Sequence, residues 1–481
     1  MPGRLDTYTT MRDKNATPEP FGATKRRPRT KAKRFVVQEH HATALHWDFR
    51  LERDGVLVSW AVPKGPPVDP KTNHLAVHTE DHPLDYYDFE GDIPKGEYGG
   101  GTVMLWDRGT YDEEEWTDTK VKVVLHGERL DGTYVLFQTH GKNWMMHRVD
   151  PPQDPAYEPM PEDVAPMLAT TADDLPPKQD QWAFEFKWDG VRAIVAIDGG
   201  RARAHSRNLL DITGSYPELR ALGEAMGSRR LVLDGELVVF DAQGRSDFGL
   251  LQQRMKLTGD AVRRLMTRYP VTYLVFDVLY ADGHTTMGLP YVERRAILEG
   301  LGLNGAHWQT PPSFPGEGTA VRQASIERGF EGIMAKRLDA AYYPGKRVDH
   351  WRKVKNVHRQ EMVVGGWTKG EGNREGHLGS LLIGYYDDGR LRYAGHVGTG
   401  FTAKSLGVVE KALKPLARND SPFDDPVPTA YAKKSTYVDP VLVAEVEFSE
   451  WTRDGKLRHP SFKGLRYDKP ATDVVREEPA R

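Results

Sequence analysis

The 481-residue sequence contains no cysteine, which excludes disulfides, thiolate zinc sites and a thiol nucleophile. It has no apolar run near the roughly 20 residues that cross a membrane. Its first thirty residues lack the apolar segment of a secretory signal. The expectation is a cytoplasmic protein with no membrane association. Internal repeats and long low-complexity tracts are absent as well. Net charge is scarce, at −3, but the average hides its distribution. Residues 25–34, KRRPRTKAKR, carry seven cations and no acid, whereas acids collect in DEEEWTD at 112–118. A basic tail of this kind can touch any polyanion, so it permits nucleic-acid binding without demonstrating it.

The length suggests about three domains, and the pattern predicts an α+β multidomain chain. Residues 1–34 read as a basic, disordered tail. Residues 35–150 hold short alternating stretches broken by Gly and Pro, such as GVLVSWAV and GTYVLFQ, the pattern of a small β-barrel or sandwich. Residues 151–165 form a Pro-rich acidic linker. Residues 166–358 predict an α+β domain with strands at 182–188, 191–197, 231–240 and 271–280. Residues 359–481 predict a five-stranded barrel with one helix.

Within the α+β region the stretch EFKWDGVRA (185–193) alternates. Trp182, Phe184, Phe186 and Trp188 share one face, and Glu185, Lys187 and Asp189 the other. Four further polar clusters follow: SRN (206–208), LDGELVVFD (233–241), EGIMAK (331–336) and WRKVKN (351–356), with Phe276 in YLVFDVLY. Taken singly, each is more readily read as structure, with Phe276 in a core and the paired lysines on a wet strand face. Together they suit a nucleotide. A neutral Lys187 amine could attack an α-phosphorus, with Lys353 and Lys355 depressing its pKa by like-charge repulsion. The same two cations could neutralise phosphate oxygens, Glu236 and Glu331 could hold Mg²⁺, and Phe276 could stack on a purine.

In this order EFKWDGVRA, SRN, DGEL, EGIMAK and WRKVKN resemble motifs I, Ia, III, IV and V of the covalent nucleotidyltransferases, which include DNA ligases, RNA ligases and mRNA capping enzymes. Arg466-Tyr467-Asp468-Lys469 matches the R-x-D-K motif VI in the OB domain of DNA ligases. The resemblance spans about residues 166–470. It implies a nucleotidyltransferase (ATP-grasp-like) adenylation domain followed by an OB-fold β-barrel, with Lys187 as the adenylylated nucleophile. Glu185 would help hold the adenine and Phe276 would stack on it. Arg192 and Arg207 would contact the ribose, or the α-phosphate and nicked strand. Glu236 and Glu331 would serve ribose and metal, Mg²⁺ or Mn²⁺. Lys336, Lys353 and Lys355 would contact the adenylate, and Arg466 and Lys469 the pyrophosphate.

Nine of the 17 histidines fall within residues 36–150. Period two puts His46, Asp48, Arg50 and Glu52 on one strand face, and His40 lies just upstream. Two imidazoles and a carboxylate suit Mn²⁺ or a similar ion, and Arg50 could grip a phosphate. Surface histidines, or the H-x-D…H triad of a non-haem iron oxygenase on a larger barrel, satisfy the same residues. The segment 36–148 is similar to the 3′-phosphoesterase domain of bacterial DNA ligase D through HWDFRLE, SWAVPKGP, DHPLDY, GEYGGG and WDRG. That resemblance implies a Mn²⁺ site of His40, His46 and Asp48, with Arg50, Lys64, His82 and Tyr86 handling the phosphate. His74 stands where that family more often has arginine.

The whole therefore resembles a DNA ligase D without a polymerase module, for which 481 residues leave no room. The implied activity is ATP-dependent sealing of DNA nicks and ends after 3′-end trimming, in double-strand break repair by non-homologous end joining. Implied partners are double-stranded DNA ends, a Ku-like end-binding protein and a separate polymerase, in a bacterial, nucleoid-associated setting. An RNA ligase or capping enzyme, and a non-catalytic DNA-end scaffold, are the alternatives.

Overall fold

The computed structural model describes residues 4–22, 32–356, 358–370, 377–448, 450–452 and 454–477. The first domain is a closed antiparallel barrel of eight strands. They run in the spatial order Lys33–His41, Leu45–Arg53, Val56–Val62, Asn73–His78, Asn143–Arg148, Asp131–His140, Lys120–Gly127 and Gly101–Trp116. The last strand pairs back onto the first, with His40 opposite Val103 and Val36 opposite Arg108. Closure leaves no edge within this cycle for another strand to join. Alternation decides what fills it. Trp47, Phe49 and Leu51 point inward and pack with Trp60 and Val123, each such burial contributing about 1.5–3 kcal/mol. Asp48 and Arg50 therefore face outward.

That outer face is covered, and the covering differs from the disordered tail expected for residues 1–34. Residues 4–22 are ordered: the short helix Asp6–Thr10 buries Tyr8 against His82 and Tyr86. Composition alone concealed this, because one aromatic anchor and an internal ion pair hold an otherwise polar segment. At the other end of the tail, Lys33 and Arg34 begin the first barrel strand, and Arg34 pairs with Glu52 at 2.6 Å. The core of the predicted basic run, residues 25–31, lies outside the described residues.

The adenylation region contains two sheets. One has the order Leu168–Ala172, Arg347–Lys355, Gly332–Arg337, Trp182–Lys187 and Phe314–Pro315. The other is built on Arg201–Ser206, Val191–Asp198, Leu231–Val238 and Thr272–Ala281. The chain crosses between them at Trp188–Gly190, so Lys187 ends one sheet just before the next begins. Gly190 makes the crossing possible: a Cβ there would lie 2.3 Å from the Leu237 carbonyl oxygen. Trp182 and Phe184 bury their shared face against Val321, Ile333 and Val354, which turns Glu185 and Lys187 toward the space between the sheets.

In the C-terminal domain, strands Arg390–Val397, Leu378–Asp387, His358–Lys369, Ser435–Phe448 and Ser461–Arg466 form one sheet. The helix Ala403–Leu413 packs Val409 and Leu413 into its core. The linker is pinned to the adenylation region: the Arg230 guanidinium donates to the Tyr157 hydroxyl at 2.7 Å, and the Glu158 N–H to the Gly283 carbonyl at 2.6 Å. Among the described residues no helix is long and apolar enough to cross a membrane.

Candidate active sites

The Lys187 ammonium lies in direct contact with the Glu331 carboxylate, at the wall of a cavity of about 180 Å³ shared by the adenylation and C-terminal domains. Glu236, Lys353, Lys355, Arg207, Arg466 and Lys469 line the same cavity. The structure thus gathers the residues that motifs I, Ia, III, IV, V and VI contribute. It corrects one expectation: Lys187 is not depressed in pKa by Lys353 and Lys355. Burial does push its pKa down, but Glu331, Asp189 and Glu236 outweigh burial and hold it above the ordinary lysine value. The two flanking lysines are themselves neutralised. Glu477 bridges them, 2.7 Å from Lys353 Nζ and 3.3 Å from Lys355 Nζ, and Lys355 also lies 3.9 Å from Glu331.

Burial raises the Glu236 carboxyl to about 7 despite Arg192, Lys187 and Arg466 nearby. Burial and the neighbouring Glu445 and Glu331 raise Asp189 to about 8, although Arg359 donates to it at 3.0 Å. Glu236 and Glu331 offer oxygens at the site, yet the Glu331 oxygens face Lys187 and Lys355. A cation there would need further oxygens, which a triphosphate carries.

A smaller cavity of about 100 Å³ adjoins, lined by Glu185, Phe276, Met334, Lys336 and Trp351. Glu185 is buried, accepting from Tyr291 Oη at 2.5 Å and lying 2.9 Å from Lys336 Nζ. Burial lowers the Lys336 pKa even so. The Phe276 ring is covered by cations, with Lys336 Nζ 4.4 Å and the Arg192 guanidinium 4.6 Å from its centroid. Arg192 lines both cavities, with most of its guanidinium already engaged. Its Nε and Nη2 donate to Asp234 at 2.5 and 2.6 Å, and Tyr342 also donates to Asp234. This fork ties two elements of the protein together and leaves only Nη1 for a nucleotide.

The C-terminal domain is folded over the opening. Arg466 donates to both Asp468 oxygens at 2.9 and 2.8 Å and lies 3.3 Å from Glu445. Lys469 is 3.3 Å from Glu361. Despite burial, Lys469, Arg466 and the paired lysines hold Glu361 well below the carboxylate range. Sequence reasoning missed Glu477, Glu361 and Glu445, because no motif marks acids that neutralise a cationic pocket from another domain, and it missed Arg359, which donates to Asp189.

On the barrel, donor atoms of His40, His46 and Asp48 lie within 4.8 Å of one another. The second nitrogen of each imidazole is already engaged: His40 Nε2 with the Gly99 carbonyl at 2.8 Å, and His46 Nδ1 with the Ala44 carbonyl at 2.9 Å. Both nitrogens must carry the proton to donate there, which leaves His40 Nδ1 and His46 Nε2 as lone pairs 3.4 and 3.7 Å from Asp48. Metal-ligating histidines are oriented in this way, and the donor set fits a divalent cation. Burial opposes the Asp48 charge, but the Arg50 guanidinium 3.0 Å away keeps its carboxyl far below the usual range.

The phosphate-handling residues divide. Arg50 is buried, donating to Gln38, Ser59 and Asp48 at 2.9, 2.8 and 3.0 Å. It orients Asp48 and does not present the free fork expected of it. His82 faces the cluster side, and burial with Arg50 and Arg12 holds its pKa well below the usual value. The Tyr86 hydroxyl donates to Glu19 at 3.0 Å. Lys64 lies elsewhere, exposed at the barrel end beside Gly199 of the adenylation region, in a cavity with Asp198 and Arg203. His74 borders an adjacent cavity and holds the Gly65 carbonyl at 2.6 Å. Sequence reasoning missed Arg12, which the ordered N-terminal segment brings 3.4 Å from His82 Nε2, with Glu19 and Glu80 at 2.8 and 3.0 Å.

A lysine site closed by a second domain, beside a barrel bearing a metal-ligand triad, has the layout of a covalent nucleotidyltransferase joined to a phosphoesterase-type module. The family models agree. The DNA Ligase D 3′-phosphoesterase domain matches residues 38–138, the ATP dependent DNA ligase domain residues 166–355, and the ATP dependent DNA ligase C terminal region residues 374–469. The chain belongs to the DNA ligase D family. It is 47% identical over 479 residues to the multifunctional non-homologous end joining DNA repair protein LigD of Mycobacterium tuberculosis, covering 98% of this chain and 61% of that one. The LigD of Pseudomonas aeruginosa is 38% identical over 534 residues, covering 99% and 62%. The chain therefore spans about three fifths of the length of these relatives. A solved mycobacterial DNA ligase D complexed with ATP and MES is 43% identical, with a TM-score of 0.51, covering 66% of this chain and 99% of that one.

Proposed function

We propose that this chain is an ATP-dependent DNA ligase with a 3′-end-trimming phosphoesterase, acting on broken DNA in non-homologous end joining. The observation that carries the reading is the placement of Lys187 between Glu331 and a cavity lined by Lys353, Lys355, Arg466 and Lys469. In the first step the Lys187 amine attacks the ATP α-phosphorus, forming a P–N bond as pyrophosphate leaves. Its proton must depart first, and Glu331 is the carboxylate in contact with it. Lys353 and Lys355 balance charge on the α-phosphate, and Arg466 and Lys469 on the leaving pyrophosphate. The AMP then passes to a DNA 5′-phosphate, and a 3′-hydroxyl displaces it. Glu236 and Glu331 would help to hold a divalent cation, Mg²⁺ or Mn²⁺, which would supply positive charge to the phosphates.

A blocked 3′ end cannot make that last attack, which is the chemical reason to join the two modules. In the barrel, His40, His46 and Asp48 would hold Mn²⁺ or a similar ion, which supplies charge at the phosphate. Arg50 fixes Asp48, and His82, kept neutral beside Arg12, is the proposed contact on the phosphate side. The triad lies on the outer face of a barrel filled by Trp47, Phe49 and Trp60, so the enclosed interior that an oxygenase reading requires is not offered. DNA ends and nicks are the proposed substrates, with a Ku-like protein and a separate polymerase as proposed partners.

Intact-mass measurement after incubation with ATP and Mg²⁺ tests the reading. One AMP should be gained on Lys187, and none by Lys187→Ala. An adduct formed only from GTP would favour a capping-type enzyme, and no adduct from either nucleotide would favour a scaffold.

A further inference from the structure

Of the parts of the C-terminal domain that line the pocket, the motif VI segment, residues 464–469, is held by the adenylation region mainly through its main chain. Gln252 Nε2 donates to the Leu465 carbonyl at 2.5 Å, and Asn208 Nδ2 to the Asp468 carbonyl at 2.6 Å. Two neighbours pack beside them. Phe248 lies under the Arg466 guanidinium at 4.2 Å, and Lys256 Nζ sits 4.2 Å from the Tyr467 ring centroid. Phe248, Gln252 and Lys256 recur every four residues around the short helix Phe248–Leu251. Gly464 allows the approach. A Cβ there would lie 2.2 Å from Gln252 Nε2, and its three nearest atoms all belong to the Gln252 side chain.

We propose that Gln252, supported by Asn208, is a positioning residue for the adenylation step. It grips the backbone next to Arg466 and so sets the two motif VI cations against the pyrophosphate end of the pocket. This deepens the ligase reading and rests on it. Both grips are made to carbonyls of another domain, so they exist only while that domain is folded over the pocket. A DNA duplex needs that opening uncovered, and the later steps then proceed with Gln252 and Asn208 released from it. Neither residue touches Lys187 or lies on the Lys353–Lys355 strand face, which separates their role from that of the reacting groups.

The test compares two rates on the same full-length preparations: enzyme–AMP formation from ATP, and sealing of a nick that already carries 5′-AMP. Gln252→Ala should slow the first by roughly three- to ten-fold, the range of one lost hydrogen bond, and leave the second within about two-fold. Gly464→Ala should do the same. Combined with Gln252→Ala it should cost less than it does in the native background, because both changes act on one contact. Asn208→Ala should show the same split as Gln252→Ala. Equal falls in both rates for Gln252→Ala, or an unchanged first rate for both Gln252→Ala and Gly464→Ala, would overturn the proposal. Failure of the native protein to form any enzyme–AMP would overturn the ligase reading instead.

Discussion

Glu477 lies between Lys353 and Lys355, its two carboxylate oxygens 2.7 and 3.3 Å from their ammonium groups. It reaches them from the C-terminal domain, with its N–H on Gln360 and the Val475 carbonyl accepting from the same side chain. A carboxylate there stands where phosphate oxygens should go. The cavity of about 180 Å³ is also smaller than the roughly 300 Å³ at which ligand pockets usually begin. On the proposed ligase reading, entry of a nucleotide displaces Glu477. Glu477→Gln, which keeps the shape and removes the charge, should lower the KM for ATP in enzyme–AMP formation by about ten-fold. A raised KM would mean that Glu477 helps to build the pocket rather than fill it.

Lys187 carries a proton that Glu331 stabilises. With its pKa above the ordinary lysine value, the reactive amine is scarce at neutral pH and becomes commoner as pH rises. The single-turnover rate of enzyme–AMP formation should climb across about pH 7 to 9 without a plateau. A flat profile would show that bound nucleotide and cation take Glu331 away from Lys187 and lower that pKa.

Glu236 has the opposite consequence for folding. Its carboxyl titrates at about 7 in the folded protein, against an ordinary 4.5. Below 4.5 both folded and unfolded chains are protonated and the group costs nothing. Between 4.5 and 7 the unfolded chain ionises more readily, so stability falls as pH rises, and above 7 the full cost remains. Glu236→Gln should therefore raise stability by about 1–3 kcal/mol at pH 8 and change little near pH 4.5, as read by denaturant unfolding. It should also slow adenylation. An equal gain at both pH values would assign the effect to packing.

Arg466→Ala and Lys469→Ala should slow enzyme–AMP formation at least ten- to a hundred-fold, for a charge-assisted phosphate contact of about 1.5–3 kcal/mol. Sealing of a nick already bearing 5′-AMP should stay near the native rate. Side-by-side rates on one preparation decide it. Loss of both steps together would mean that the Arg466–Asp468–Glu445 cluster holds the fold.

His46→Ala removes one of two lone-pair nitrogens aimed at Asp48. Release of a 3′-phosphate should fall by about 10- to 100-fold, as should Mn²⁺ affinity measured by calorimetry on the full chain. Sealing of a clean nick should persist. Phosphate release at the native rate would dissociate the triad from the trimming activity.

The sequence made the adenylation site legible because alternation and spacing are local. Glu185, Lys187 and Asp189 had to share a face, and Lys353 and Lys355 had to lie together on one strand. The same reasoning placed His46, Asp48 and Arg50 on one face of the barrel. It did not reveal what sits opposite. Arg50 looked free because Gln38 and Ser59 come from other strands, and Arg192 because Asp234 lies 42 residues away. Lys187 was expected to be chilled toward neutrality by its lysine neighbours, and Glu477, more than 120 residues from either, cancels them. Partners brought in by topology leave no mark on periodicity.

The ordered N-terminal segment bears on where this chain can be cut. The phosphoesterase family model begins at residue 38, but the shelter over His82 and Tyr86 is built by Tyr8, Arg12 and Glu19. A fragment starting at the first barrel strand would retain the closed eight-stranded ring and all three metal-ligating side chains. It would lose the Tyr8 ring, the Arg12 guanidinium beside His82 and the Glu19 acceptor of the Tyr86 hydroxyl. The closed ring is thus only part of the unit that surrounds the triad, and any dissection of the two modules has to carry residues 4–22 with it.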